Sequence, residues 1–261
     1  DGGFSATINE HHIGVWYSTT VGRWAIINQD SADMPVGSDY NILIPDYTSD
    51  NIFVQQANSG NASGNSTFID NPNTNENPGA LLFITQVVNP GGGTEYTNDH
   101  AVGVWYSNSY DQWAIFNEDG STMEDNRSFF VMVEPNPSDT TTTFVHTAEA
   151  STITSNTTSI DHPEINGDPH ALLFITHNWN PDLDSPGVYN DFATSTSFNP
   201  LSQQWGITNL SPGFSPGMTE NASFNVLILP GEDEFTKHLS KAANIEGHRT
   251  IIDFKLNFIK Y

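Results

Sequence analysis

Nine histidines, at positions 11, 12, 100, 146, 162, 170, 177, 238 and 248, and 31 carboxylates are the residues of this chain with acid–base or metal chemistry to offer. No two histidines show the HExxH spacing that would set paired imidazoles on one helix face around zinc. His11-His12 is the one adjacent pair, and His12 is read as the counterpart of His100, which a third copy of the same stretch replaces with Phe192. Asp30 and Asp119 also fall at equivalent places, where the third copy has Ser211. A glycosidase needs two carboxyl groups in unlike environments across one cleft. Nothing in the sequence singles out such a pair, nor a Ser/His/Asp triad, and the absence of cysteine removes thiol chemistry and Cys-ligated metals. The chain is therefore read as a non-enzyme with no cofactor. One qualification concerns calcium: NPDLDSPG at 180–187 and NEDGS at 117–121 carry oxygen ligands of the kind Ca²⁺ takes, without the twelve-residue loop pattern. Trp16, Trp105 and Trp179 are open to two readings, as sugar-stacking platforms or as packing residues of strands.

The elements that position these residues recur. HAVGVWYSNSYDQWAIFNED at 100–119 is answered upstream by HIGVWYSTTVGRWAIINQD at 12–30 and, more weakly, downstream by DFATSTSFNPLSQQWGITN at 191–209. Trp24, Trp113 and Trp205 are each followed at two-residue steps by Ile26, Ile115 and Ile207, then by Asn28, Asn117 and Asn209. A period of two puts Trp, Ile and Asn on one face of a strand. That face is expected to be core, and the intervening face (Ala25 and Ile27, Ala114 and Phe116, Gly206 and Thr208) is expected to be surface.

The repeat is about 90 residues long, which predicts small all-β units with polar Asn/Pro/Gly loops. Six strands are predicted per unit, in the middle copy at 52–56, 66–70, 80–88, 101–107, 113–117 and 129–133. The next copy repeats the order, with ALLFIT at 80–85 and again at 171–176. The resulting domain frame is 1–45, 46–135, 136–230 and 231–261, in which the first segment holds only the second half of a unit. The last holds only the first half, with Phe235–Leu239 aligned to 144–148 and KLNFIKY at 255–261 aligned to ALLFITH.

Three arrangements fit complementary half-units: three whole domains framed from the GVWY strand, a tail that folds back onto its own chain, or a tail that completes the next molecule. The last is favoured, because half a β-domain leaves unpaired strand edges and strand addition joins chains through main-chain hydrogen bonds. The expected donor strands carry Phe235, Ile251, Ile252, Phe254, Leu256, Phe258, Ile259 and Tyr261. The expected acceptor half-unit carries Ile13, Val15, Trp16, Trp24, Ile26, Ile42 and Ile44.

Charge supports that docking. The formal net charge is −24, yet residues 237–261 carry five basic and two acidic side chains, so a +3 tail faces a −27 body. An acidic body argues against nucleic acid and anionic membranes as partners. The start at Asp1 and the lack of an apolar run near 18 residues are read as a processed, exported chain without membrane insertion. Asn-x-Ser/Thr triplets at Asn61, Asn65, Asn126, Asn156, Asn209 and Asn221 are candidate glycosylation sites.

The pattern of ALLFIT, an Asn-Pro-Gly turn, Asn-Asp-His, GVWY, WAIFNED and a Met-containing turn before the last strand resembles an uncharacterised tandem-repeat domain of secreted bacterial proteins. The resemblance implies an exported β-rich repeat module, with units that start at the strand matching Phe144, and implies no chemistry. The expected fold is tandem antiparallel β-sandwiches or barrels. The expected function is structural, as the subunit of an extracellular filament or surface assembly with itself as partner. The alternative is a monomeric three-domain adhesin or glycan-binding module.

Overall fold

The structure is a computed structural model, which describes residues 7–44, 51–137, 142–183, 186–213, 215–229 and 235–252. Strands dominate, and the one helical element among the described residues is a single 3-10 turn at Pro90–Gly92. An N-terminal head contributes β1 (Ile13–Ser18), β2 (Arg23–Asn28) and β3 (Asp39–Leu43). The middle repeat contributes β4 (Ile52–Gln56), β5 (Ala62–Ser63), β6 (Ser66–Phe68), β7 (Leu81–Gln86), β8 (Val102–Ser107), β9 (Gln112–Asn117) and β10 (Ser128–Glu134). The third repeat follows with β11 (Thr143–Thr147), β12 (Ile153–Thr154), β13 (Thr157–Ile160), β14 (Leu172–Asn178), β15 (Ala193–Asn199), β16 (Gln204–Leu210) and β17 (Ser223–Leu229). A C-terminal tail adds β18 (Phe235–Leu239), β19 (Ile245–Glu246) and β20 (Arg249–Ile251).

Each continuous repeat is a sandwich of two antiparallel layers. In the middle repeat β4-β10-β7 packs on β8-β9-β6-β5, and between them lie Ile69, Leu82, Val104, Trp113, Ile115, Phe129 and Val131, all essentially buried. In the third repeat β11-β17-β14 packs on β15-β16-β13-β12 around Ile160, Ile165, Ile207, Phe224 and Val226. A repeat has seven strands where six were expected. The additional strand is the first arm of a tight hairpin with two-residue turns at 64–65, 155–156 and 247–248, whose first residues Gly64, Ser155 and Gly247 have φ near +60°. Positive φ at that position is what a two-residue hairpin requires, and two paired residues are too short to show as alternation.

The repeats are joined edge to edge. Strand β14 lies parallel to β8, which fuses one layer of the third repeat and one layer of the middle repeat into a seven-stranded sheet. A parallel bridge between Val15 and Val87 makes the corresponding link from head to middle repeat. A further apolar cluster, with Leu81, Phe83 and Leu227 against Leu43, Met132, Phe174 and Leu229, draws on all three repeats, so each touches the other two.

This packing corrects one expectation. Ala25, Ile27, Ala114 and Phe116 were assigned to surface, yet all are at most 2% exposed. The layer opposite the core is covered by the following repeat: Phe116 meets the His177 and Tyr189 rings at 6.4 and 5.9 Å. Alternation along one strand reports one buried face and is silent about a second cover supplied from elsewhere in the chain.

Candidate functional site

Head and tail together make the first repeat. Strand β18 pairs antiparallel with β3, from Phe235 opposite Leu43 to Leu239 opposite Asp39, and β20 pairs with β2 through Ile251 opposite Ala25, Thr250 opposite Ile26 and Arg249 opposite Ile27. Loop bonds extend the seam: Asn28 N–H to the His248 carbonyl (3.0 Å), Met34 N–H to that of Gly247 (2.9 Å), and Ile252 N–H to that of Trp24 (2.9 Å). Ser240 is a buried knot, its hydroxyl donating to the Pro35 carbonyl at 2.6 Å and accepting from Ser38 N–H at 2.8 Å. Gly37 and Ser240, 203 residues apart, are thereby in contact.

The described part of this composite repeat has an apolar core of its own. Ile26, Met34 and Ile252 are buried, with Trp24, Tyr40, Ile42 and Ile245 packed against them. A polar link across the sandwich marks its equivalence to the others: His238 Nε2 meets Thr250 Oγ1 at 2.8 Å, as His146 meets Thr158 at 2.9 Å and Gln55 Nε2 donates to Thr67 Oγ1 at 2.9 Å. That link also fixes the register. Phe235 opposes Leu43 as Thr143 opposes Leu227, so Phe235 occupies the place of Thr143 and the expected alignment with Phe144 is one residue out.

A three-part clasp closes the outside of the seam. The Arg249 guanidinium of the tail lies 4.0 Å over the Trp16 ring of the head, and both bond one carboxylate of the middle repeat. Glu95 accepts from Trp16 Nε1 at 2.7 Å and from Arg249 Nη2 at 2.9 Å. Trp16 is thus a half-buried packing residue of the seam, with Arg249 over its ring.

Two joints between successive repeats share one plan. At the first, Asn89 accepts from Tyr17 N–H and donates to the Tyr17 carbonyl, both at 2.8 Å, and Val88 N–H donates to the Val15 carbonyl at 2.9 Å. At the second, Asn180 clamps Tyr106 in the same way at 2.9 Å each, and Trp179 N–H donates to the Val104 carbonyl at 2.9 Å. From the third repeat back to the first, Asn41 Nδ2 donates to the Leu173 carbonyl at 3.2 Å, as Asn225 Nδ2 does to that of Leu82 at 3.0 Å.

The sequence-predicted residues are distributed as follows. Of the donor set, Phe235, Ile251 and Ile252 sit on the head, with Ile251 and Ile252 each 9% exposed; Phe254, Leu256, Phe258, Ile259 and Tyr261 lie outside the described residues. Of the acceptor set, Ile26 is buried, Val15, Trp16, Trp24, Ile42 and Ile44 are half-buried, and Ile13 is exposed. Asn209 is withdrawn as a glycosylation site, because it is fully buried and its Nδ2 donates to Asn190 and to the Gly217 carbonyl. Asn61, Asn65 and Asn156 are half-buried with their amides donating to carbonyls of Gln56, Asn117 and Asn209, whereas Asn126 and Asn221 are exposed.

The histidine alignment also changes. His11 Nδ1 meets Asp30 at 2.6 Å as His100 Nδ1 meets Asp119 at 2.9 Å, so His11 and not His12 is the counterpart of His100. His12 is held below the usual imidazole range by burial, against the opposing pull of Asp99 and Asp191. The 117–121 loop is satisfied internally, Asp119 accepting from Ser121 N–H and Oγ, and no trio of His, Asp or Glu among the described residues is placed to hold a metal ion. Gly213-x-Ser215-x-Gly217 does fit the GxSxG pattern that sequence reasoning passed over. Gly213, Ser215 and Gly217 lie between β16 and β17, both strands, without the strand–turn–helix setting that exposes a serine nucleophile.

The residues most informative about the joints were not anticipated: Gln29, Gln86, Glu118 and His177. The signal was present in the repeat alignment, where positions 29 and 118, and 86 and 177, change together inside otherwise constant strands.

What this arrangement offers is recognition of one chain segment by another. No curated protein and no solved structure matches the chain. One family model matches twice, over residues 14–133 and 103–213, each match opening at the glycine of the GVWY strand and not at the strand matching Phe144. Together the matches span most of the chain, which belongs to the family described as Domain of unknown function (DUF7452).

Proposed function

We propose that the protein is the structural subunit of an extracellular filament or surface assembly, in which the tail of one copy completes the head of the next. The observation that carries this reading is the composite first repeat: its strands come from opposite ends of the chain and meet through main-chain pairing at β3–β18 and β2–β20. Such pairing is indifferent to whether the two ends belong to one copy or two, and a hinge segment decides between them, as in domain swapping. The clasp of Trp16, Glu95 and Arg249 and the Ser240 knot give the segment specificity beyond backbone pairing. Because the tail is basic and the body acidic, encounter between copies is favoured at low salt. Catalysis has no part in this reading. Negative-stain microscopy and sedimentation of the full chain and of a version ending at Glu234 test it: filaments from the first and none from the second are expected, and a monomeric full chain refutes it.

A second reading rests on a specific feature. The pairing is made here within one chain, and Asn41 ties the first repeat to the third, a closed monomer that fits an adhesin or glycan-binding module. Its surface carries a chain of edge-to-face rings, Tyr110–Phe68–Trp105–Trp179–Tyr189, with Tyr110 and Tyr189 65% and 51% exposed. Glycan binding that disappears in Trp105→Ala or Trp179→Ala would favour it.

A further inference from the structure

The two joints that share a backbone plan carry different chemistry at one buried position. At the first, Gln29 Nε2 donates to Gln86 Oε1 at 2.8 Å, and Gln29 Oε1 accepts from Asn98 N–H at 3.0 Å. At the second, the same places are held by Glu118 and His177, whose Nδ1 faces Glu118 Oε1, while Glu118 Oε2 accepts from Asn190 N–H at 3.1 Å. All four side chains are at most 6% exposed. Both pairs lie against a glycine: a Cβ on Gly14 would come within 2.9 Å of Gln29 Nε2, and one on Gly103 within 2.4 Å of Glu118 Oε1. In the third repeat the corresponding positions are Ser195 and Leu210, so that face offers neither pair.

We infer that this side-chain pair is the code that fixes which repeat may follow which. Gln–Gln and Glu–His each join one donor to one acceptor across the joint, His177 Nε2 alone being buried without a partner, and exchange breaks that match. A head bearing Gln29 set on His177 would deprive a buried imidazole of its carboxylate. Glu118 set on Gln86 would bring a carboxylate oxygen against the Gln86 amide oxygen, because Gln86 Nε2 is already donated to the His100 carbonyl. Removing one partner of a buried polar pair leaves the other uncompensated and desolvated, which costs more than keeping the pair intact. The constant features, the Asn clamp and the parallel strand, supply attraction to any repeat, and the variable pair supplies rejection of the wrong one. The pair thereby names the surface the head takes within its own copy: it sits on the repeat that presents Gln86 and is refused by the one that presents His177, whether its tail strands come from the same copy or, on the assembly reading above, from another.

A double-mutant cycle in the full chain tests this. Gln29→Glu and Gln86→His alone should each lower the unfolding midpoint by roughly 5–15 °C, and the double variant, which rebuilds the second joint's pair at the first, should recover most of that loss. Should either single variant fail to fold, the reciprocal cycle of Glu118→Gln and His177→Gln gives the same comparison. Losses that simply add, or single variants indistinguishable from the parent, would overturn the code. Sedimentation of the double variant separates the code from the assembly reading. A recovered midpoint with filaments like the parent's is expected. A recovered double variant that sediments as a monomer would keep the code and refute assembly.

Discussion

The middle repeat and the composite first repeat are the same sandwich built in two ways. In the middle repeat the chain runs continuously through seven strands, and twelve residues form its buried cluster, with Trp113 1% exposed and its indole N–H donating to the Asn77 carbonyl at 2.9 Å. In the first repeat head and tail meet, among the described residues, around Ile26, Met34 and Ile252, and the equivalent Trp24 is half-buried, edge-on to Phe130 of the middle repeat at 5.8 Å. The difference teaches where the fold's stability and its exchangeability lie. Covalent continuity and a buried Trp113 hold the middle repeat as a unit. The first repeat is joined by main-chain pairing, the Ser240 knot and the Arg249 clasp, which on the proposed reading one copy gives to another.

Aromatic truncation should expose the contrast most strongly. Trp113→Ala is expected to cost about 3–5 kcal/mol, and Trp24→Ala less than half of that; chemical denaturation of both variants measures it, and equal losses would erase the distinction. Next in size, Ile252→Ala removes a buried tail residue from the composite core and should cost about 2–4 kcal/mol. Hydrogen exchange should place that loss in residues 13–43, leaving the middle repeat's β9 and β10 protected.

Acid provides a third lever. His12, His146 and His248 are all held below the ordinary imidazole range, chiefly by burial. The unfolded chain therefore binds more protons at these sites, so their contribution is intact above about pH 6.5 and is lost as pH falls from there through the folded-state values. His146→Gln, which copies Gln55 of the middle repeat, should flatten this acid limb while keeping the bond to Thr158. A pH profile of the unfolding midpoint unchanged by the substitution would contradict it. Smallest is Arg249→Ala, expected to cost about 0.5–1 kcal/mol because the clasp is partly exposed, with the loss shrinking at high salt.

Much of the fold was legible because repeats report on themselves. The Trp-x-Ile-x-Asn strand recurs, and its core face is the one alternation predicts, with Trp113, Ile115 and Asn117 all buried. The half-units at the two ends were legible as complementary strand sets for the same reason. The opposite face was misread because Phe116 is covered from another repeat, and strand periodicity carries no information about that. Register at Phe235 slipped because an aromatic residue was matched to the aromatic Phe144, whereas the buried His238, equivalent to His146, fixes the pairing. His11 and His12 are adjacent, so only the bond to Asp30 distinguishes them. The joint pairs are not legible as pairs in the sequence, because the meeting of Gln29 with Gln86 and of Glu118 with His177 is set by packing between repeats.

The absence of cysteine makes the central claim directly measurable. Asp39 and Leu239 are opposite one another at the exposed end of the β3–β18 pairing. With Asp39→Cys and Leu239→Cys in one chain, mild oxidation of assembled protein should give a ladder of covalently linked dimers, trimers and longer chains on a non-reducing gel, since each tail is clasped by another copy's head. A single fast-migrating monomer, cross-linked within itself at every concentration, would contradict the account and leave a closed three-repeat module in its place.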